Sequence, residues 1–158
     1  MGEGFWIRLA GPADAEAVSE VLRRAGLAAW GPFLGADRIE EATADATHPA
    51  DAVAVDGEGV LAFVAWEEDT GEISRLYTDP RGQGRGAAGA LLDVALDALR
   101  EAGQMQAWLH TEERNEAAIG FYLSHGWRIE GEPRVRDWHG ARLVEPRLVH
   151  DLDVRPSG

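Results

Sequence analysis

The chain has 158 residues, 45% of them apolar, with 6 Trp and no Cys. That is enough to bury a core as one domain over 1–158, and it excludes disulfides, thiolate metal sites and thiol nucleophiles. The formal net charge is −13 and all 15 basic residues are arginines, which argues against nonspecific nucleic-acid binding, because that needs clustered cations to displace phosphate counterions.

The acidic balance mildly favours cationic partners, or serves only solubility. No stretch reaches the ~18 apolar residues of a membrane span, and the first residues show neither a basic region nor an apolar run. The expectation is a cytoplasmic protein that does not enter a membrane.

Residues 5–9 alternate and are β-prone, a first strand. Pro12 suits the first turn of a helix, with Asp14 and Glu16 near its positive end and Val18, Val21, Leu22 and Ala25 as its apolar stripe. Gly26 is the expected stop. Trp30, Pro32 and Phe33 then fall on a connector, where the aromatics line a substrate mouth or plug the core, ahead of a more polar helix over about 36–46.

Two β-type runs, 52–55 and 60–67, flank Asp56-Gly57-Glu58-Gly59, a hairpin signal. Asp69-Thr70-Gly71 turns the chain into a third antiparallel strand over 72–78. A glycine cluster follows and opens a helix over 87–101, with Leu91, Leu92, Ala95, Leu96 and Leu99 on its apolar face and Gly103 ending it. Residues 105–110 read as a buried strand, and the helical crossover makes it parallel to 72–78. A short helix over 115–124, with Ala118, Ile119 and Tyr122 on one face, closes at Gly126. Strands over 127–130 and 143–152 complete the chain, with turns at Pro133 and His139-Gly140. This order describes an α+β domain around one mixed sheet.

The glycine cluster bears the clearest chemistry. Gly82, Gly84, Gly86 and Gly89 leave backbone amides uncovered where a helix begins, which makes an anion site suited to phosphate. Gly84 to Gly89 also spells GxGxxG, but Asp79, Pro80 and Arg81 separate it from the strand and too little chain follows for a dinucleotide domain. Walker A fails for want of a lysine. A glycine-rich turn that only caps a helix remains the plain alternative. His110, His125, His139 and His150 lack metal-ligand spacing, so no metal is expected.

The segment LYTDPRGQGRGAAGALL, 76–92, resembles the acyl-CoA-binding segment of the Gcn5-related N-acetyltransferases, the GNAT family. The family pattern Gln/Arg-x-x-Gly-x-Gly/Ala stands here as Gln83, Gly84, Arg85, Gly86, Ala87, Ala88. Downstream, NEAAIGFYLSHGW at 115–127 resembles the second family segment. The resemblance covers about 72–127 and extends to the N-terminal strand and helix pair. Ala87 replaces a bulky aliphatic, Gly82 stands where a larger residue is common, and Trp127 replaces Phe. The first two departures are expected to loosen the loop while its amide geometry survives.

The resemblance implies an α+β (mixed α/β) fold with a GNAT-like central mixed, mostly antiparallel sheet, two splayed parallel strands and flanking helices. It implies acetyl-CoA as acyl donor, with the backbone of Leu76, Tyr77 and Thr78 on the pantetheine arm. The amides of Gln83, Gly84, Arg85, Gly86, Ala87, Ala88 and Gly89 would hold the pyrophosphate, and Asn115 and Tyr122 would touch the cofactor from the second segment. The implied activity is direct transfer of acetyl to a primary amine of a small molecule or a peptide N-terminus. A non-catalytic acyl-CoA sensor is the alternative.

A lysine-like amine with a pKa near 10.4 is neutral in only on the order of one molecule in a thousand at pH 7, so a general base is useful. The resemblance puts Glu72 in that role, eleven residues before Gln83; by itself Glu72 reads as a solvated carboxylate at a strand end. Glu112 and Glu113 are rivals. Tyr122 would protonate the leaving thiolate, and otherwise reads as an amphipathic helix-face tyrosine. Trp30 and Phe33 are weaker candidates for binding a cationic acceptor. A monomer or a homodimer joined at an edge of the strands in 134–151 is expected.

Overall fold

A computed structural model describes residues 4–44 and 49–153. The chain forms two compact units, one within Met1–Trp66 and Ser74–Ala95, the other within Glu67–Ile73 and Leu96–Gly158.

In the first unit, β1 (Trp6–Leu9), β2 (Ala52–Asp56), β3 (Gly59–Trp66) and β4 (Ile73–Thr78, whose first residue belongs to the second unit) lie in that order in one sheet. β1 pairs antiparallel with β2, and β2 with β3. Every residue of β2 is buried. Its Ala-Val-Ala-Val run has no polar face to give to water, as expected of a strand covered on both sides. Val53, Val55 and Phe63 pack with Val18, Val21 and Leu22 of α1 (Ala15–Leu34), so the predicted helical stripe meets the predicted strands. Before α1, a 3-10 turn at Pro12–Asp14 is held by Asp14, whose carboxylate accepts from the Gly11 amide and from both terminal nitrogens of Arg8.

The first helix is longer than the sequence reading. Gly26 does not stop it; α1 continues through Trp30, Pro32 and Phe33, which therefore lie on a helix and not on a connector. Gly26 is a packing glycine: a Cβ there would come within 3.2 Å of Ile39 Cγ2 on α2 (Ala36–Thr43). The stop is Gly35, at φ +89°, whose amide donates to the Gly31 carbonyl. The expected second helix reached to residue 46; residues 45 and 46 lie outside the described residues.

α3 spans Ala87–Glu101, with Leu91, Leu92, Ala95, Leu96 and Leu99 buried and Gly103 at φ +89° beyond its end. In the second unit, β5 (Gln106–His110), α4 (Glu116–Ser124) and β6 (Arg128–Ile129) follow. The run read as one strand over 143–152 is two, β8 (Ala141–Glu145) and β9 (Arg147–Asp151), because Pro146 has no amide to donate to a ladder. β9 pairs antiparallel with β5 and β6, and β8 with β7 (Arg134–Trp138). His139 and Gly140, at φ 48° and 81°, make the two-residue turn between β7 and β8.

The α+β class with mainly antiparallel pairing and flanking helices is thus the observed one. Among the described residues the strands are bonded in three sheets of four, three and two strands, not in one continuous sheet. The parallel pairing expected between 72–78 and 105–110 is a single bridge, Glu72 with Trp108.

Candidate acyl-donor loop and acyl-transfer residues

Leu76, Tyr77 and Thr78 end β4 half-buried, and the chain passes through Asp79 into a 3-10 turn, Pro80–Gly82. Buried Asp79 fixes this corner: its carboxylate accepts from the Arg81 amide at 2.9 Å and from Arg24 Nε at 2.8 Å, and its own amide donates to the Leu61 carbonyl. Gly82 is buried, and a Cβ on it would meet Leu61 O at 3.1 Å and Leu61 Cβ at 3.2 Å. The glycine expected to loosen the loop therefore seats it against β3.

Gly84 and Gly86 follow at φ +77° and +84°, with open space where a Cβ would stand. The first bond of the helix runs from the Ala90 amide to the Gly86 carbonyl. Ala87, Ala88 and Gly89 thus begin α3 with amides that precede its hydrogen-bond ladder, at the positive end of the helix dipole. Gln83, Gly84 and Gly86 are exposed and Ala88 and Gly89 half-buried, while Ala87 is buried; helix-start amides approached past two positive-φ glycines are suited to a phosphate group.

Sequence reasoning missed Asp56. Its Oδ2 accepts from Arg81 Nη1 at 2.8 Å and Arg85 Nη1 at 2.9 Å, while its Oδ1 takes the Glu58 and Gly59 amides. Hydrogen bonds from Arg85 and then from the Glu58 amide hold the carboxylate well below its usual range. Asp56 reads as a hairpin residue, and no local pattern ties it to arginines 25 and 29 residues away. Trp30 packs edge-on against Tyr77, ring centroids 5.7 Å apart, so one of the two aromatics offered for the acceptor touches the strand assigned to the donor. Phe33 is half-buried one turn further along α1.

In the second unit, Glu72 is held at its backbone. Its amide donates to Thr70 Oγ1 at 3.3 Å, its carbonyl accepts from the Glu67 amide at 2.8 Å, and the Trp108 amide donates to the Gly71 carbonyl at 3.1 Å. Trp108 also donates from Nε1 to the Thr70 carbonyl. Gly71 permits this approach: it has φ +84°, and a Cβ there would lie 2.5 Å from the Gln106 carbonyl oxygen. Asn115 caps α4, Oδ1 accepting from the Ala118 amide, and its Nδ2 has no partner among the described residues. Buried Tyr122 sits on α4 with its ring 5.2 Å from Phe121 and 5.3 Å from Trp127.

The two rival carboxylates separate on geometry. Glu112 is buried, and it accepts from Arg114 Nε, the Arg114 amide and the Val144 amide. Burial pushes its pKa up, but the Arg114 guanidinium and the two amides outweigh that and leave it below the ordinary carboxylate range. It works as a turn clamp and is a poor proton acceptor. Glu113 is exposed, its amide bonded to the Val144 carbonyl. His125 and His150 bond backbone carbonyls through Nδ1, and His139 occupies the β7–β8 turn.

A family model described as the acetyltransferase (GNAT) family matches residues 16–127. The chain belongs to that family. The GNAT match takes in the glycine loop, Glu72 and Tyr122. Among curated relatives, a mycothiol acetyltransferase of Beutenbergia cavernae is 41% identical over 76 residues, 46% of this chain and 26% of that protein. The chain spans half or less of the length of the curated relatives it matches. Among solved structures, a GCN5-related N-acetyltransferase of Rhodopseudomonas palustris superimposes with a TM-score of 0.78 at 14% identity, over 93% of this chain and 95% of that one. PaiA N-acetyltransferase of Thermoplasma acidophilum, solved with coenzyme A, gives 0.71 at 16% identity over 94% and 99%. At these identities the structures establish a shared GNAT fold.

Proposed function

We propose that the chain is an acetyl-CoA-dependent N-acetyltransferase acting by direct transfer to a primary amine of a small molecule or a peptide N-terminus. The observation behind this reading is the Gln83 to Gly89 loop, where two positive-φ glycines run into a helix start whose first amides precede the hydrogen-bond ladder, inside the segment matched by the GNAT model. Those amides take the donor's pyrophosphate, and the backbone of Leu76 to Thr78 takes its amide-bearing arm as a substitute strand. Asn115 Nδ2 offers a further donor to the bound molecule.

The amine reaches the protein as an ammonium and must lose a proton before it attacks. Glu72 takes that proton, directly or through water; the fixed backbone around it sets where its carboxylate starts. The amine nitrogen then bonds to the acetyl carbonyl carbon, the carbon–sulfur bond breaks, Tyr122 gives its phenolic proton to the departing thiolate, and the phenolate regains a proton as the new amide nitrogen sheds its second one. The chain supplies no cysteine for a covalent acyl-enzyme. Trp30 and Phe33 on α1 belong to the acceptor side. The reading treats 1–158 as one domain, supported by a family match that runs through both compact units. It places the enzyme in the cytoplasm, as a monomer or as a homodimer through the strands of 134–151.

Release of CoA thiol from acetyl-CoA across a panel of amines tests the reading. Release that depends on both protein and amine is expected. Tight acetyl-CoA binding with no release for any amine favours a sensor, and displacement of acetyl-CoA by ATP or NAD favours a nucleotide-binding protein.

A further inference from the structure

Where Pro146 separates β8 from β9, Glu145 and Arg147 end and begin consecutive strands, and Arg134, Arg136 and His110 lie on the strands paired with them. Glu145 stands opposite Arg134 across the β7–β8 ladder, and Arg147 opposite His110 across β5–β9. Buried Glu145 accepts through Oε1 from Arg134 Nε at 3.0 Å and Arg136 Nε at 2.6 Å, and through Oε2 from Arg136 Nη2. Arg134 and Arg136 share a face of β7 because side chains alternate along a strand. Arg147 lies over the Trp108 ring at 5.1 Å, and its nearest carboxylate is Glu130 at 3.9 Å, which also serves Arg128.

The cluster is unbalanced. One buried carboxylate faces two guanidinium groups, in a chain whose net charge is −13. Arg134 uses only Nε; its two terminal nitrogens have no partner among the described residues. His110 Nδ1 is buried with no hydrogen-bond partner among the described residues. Burial, and then the charge of Arg134, keep this imidazole below its ordinary pKa, against the opposing pull of Glu145. A neutral imidazole offers one N–H and one lone pair. Arg134, opposite Glu145 just before Pro146, and His110, opposite Arg147 just after it, flank the same corner of the chain, and an unspent guanidinium fork has the geometry that binds a carboxylate through two parallel bonds.

We propose that Arg134 and His110, backed by Arg136 and Arg147, form a subsite for a carboxylate carried by the acceptor, so that the amine acetylated belongs to an amino acid or to a compound with an acid group near its amine. The inference rests on the acetyltransferase reading and narrows it. Free polyamines, which have no acid group, are then poor acceptors.

Two arms test it. In the first, kcat/KM is measured with alanine and with alaninamide for the wild type and for Arg134→Gln. Comparing the alanine-to-alaninamide ratio between the two proteins cancels the different reactivity of the two amines. Loss of one charged contact predicts a ratio about tenfold or more lower in the variant, and Arg134→Lys, which keeps the charge without the fork, is expected in between. An unchanged ratio overturns the proposal. The second arm needs no turnover: N-acetylalanine is titrated into the wild type while the His110 ring signals are followed by NMR, with N-acetylalaninamide as neutral control. A shift with the acid alone is expected, and no shift overturns the subsite. A His110 shift in a protein that acetylates no amine leaves the carboxylate subsite standing and removes the acetyltransferase reading. Turnover with neither carboxylate preference nor a His110 shift removes the subsite alone.

Discussion

Tyr122 is the residue on which the proposed acid chemistry turns, and its environment separates two effects. Its ring is buried against Phe121 and Trp127, so Tyr122→Phe keeps the packing and removes only the hydroxyl. The expected result is a kcat lower by about a hundredfold, the low end for a lost general acid, with acetyl-CoA affinity changed by less than about threefold. Steady-state kinetics alongside calorimetry checks both, and unchanged turnover removes the assignment. Asp14 makes a different prediction. The Arg8 guanidinium, and then the Gly11 amide, lower its pKa from 3.8 to about 2. A depressed carboxylate contributes stability that is fully present above the unfolded pKa and is lost as pH falls through the folded one. Asp14→Asn is therefore expected to cost about 1 kcal/mol at pH 7, discounted because Arg8 is nearly half exposed. The gap from the wild type should close between about pH 4 and pH 2. Denaturant titrations at several pH values read this directly, and a pH-independent difference would contradict it.

Among the elements, the turn at Gly71 bears the strictest demand. Its φ of +84° and the 2.5 Å separation of a Cβ from the Gln106 carbonyl leave no room for alanine. Gly71→Ala is expected to destabilise the protein by about 2 kcal/mol or more and, by shifting Glu72 against Trp108, to lower turnover as well. Thermal unfolding together with kcat checks the pair. Sequence reading found α3 and its buried face because a leucine- and alanine-rich stripe of helical period has no competing signal. It stopped α1 too early because glycine as terminator and glycine as packing residue look alike until Ile39 is known to press on Gly26. The same limit applies to Pro146: an apolar run told of a strand, but only the ladder partners show that the chain changes sheets there.

For the whole molecule, the family was legible because its signature lies in short backbone-defining segments: the glycines of 82–89 and the Asn115 to Trp127 segment around α4 set amide positions that sequence spacing can report. What spacing does not report is which distant charges meet. Asp56 with Arg81 and Arg85, and Glu145 with Arg134 and Arg136, join residues on different elements, and no local period predicts such pairs. The central claim is that the amides opened by Gly84 and Gly86 hold the acyl donor. Titration calorimetry of acetyl-CoA into the wild type and Gly86→Ala tests it most directly. The new methyl group meets no protein atom within 4 Å, so the fold should survive a conformational cost of about 1–2 kcal/mol, which circular dichroism verifies. One acetyl-CoA should bind per wild-type chain, with affinity at least about tenfold weaker in the folded variant; equal affinity in the two proteins, or no binding to the wild type, would contradict this role for the loop.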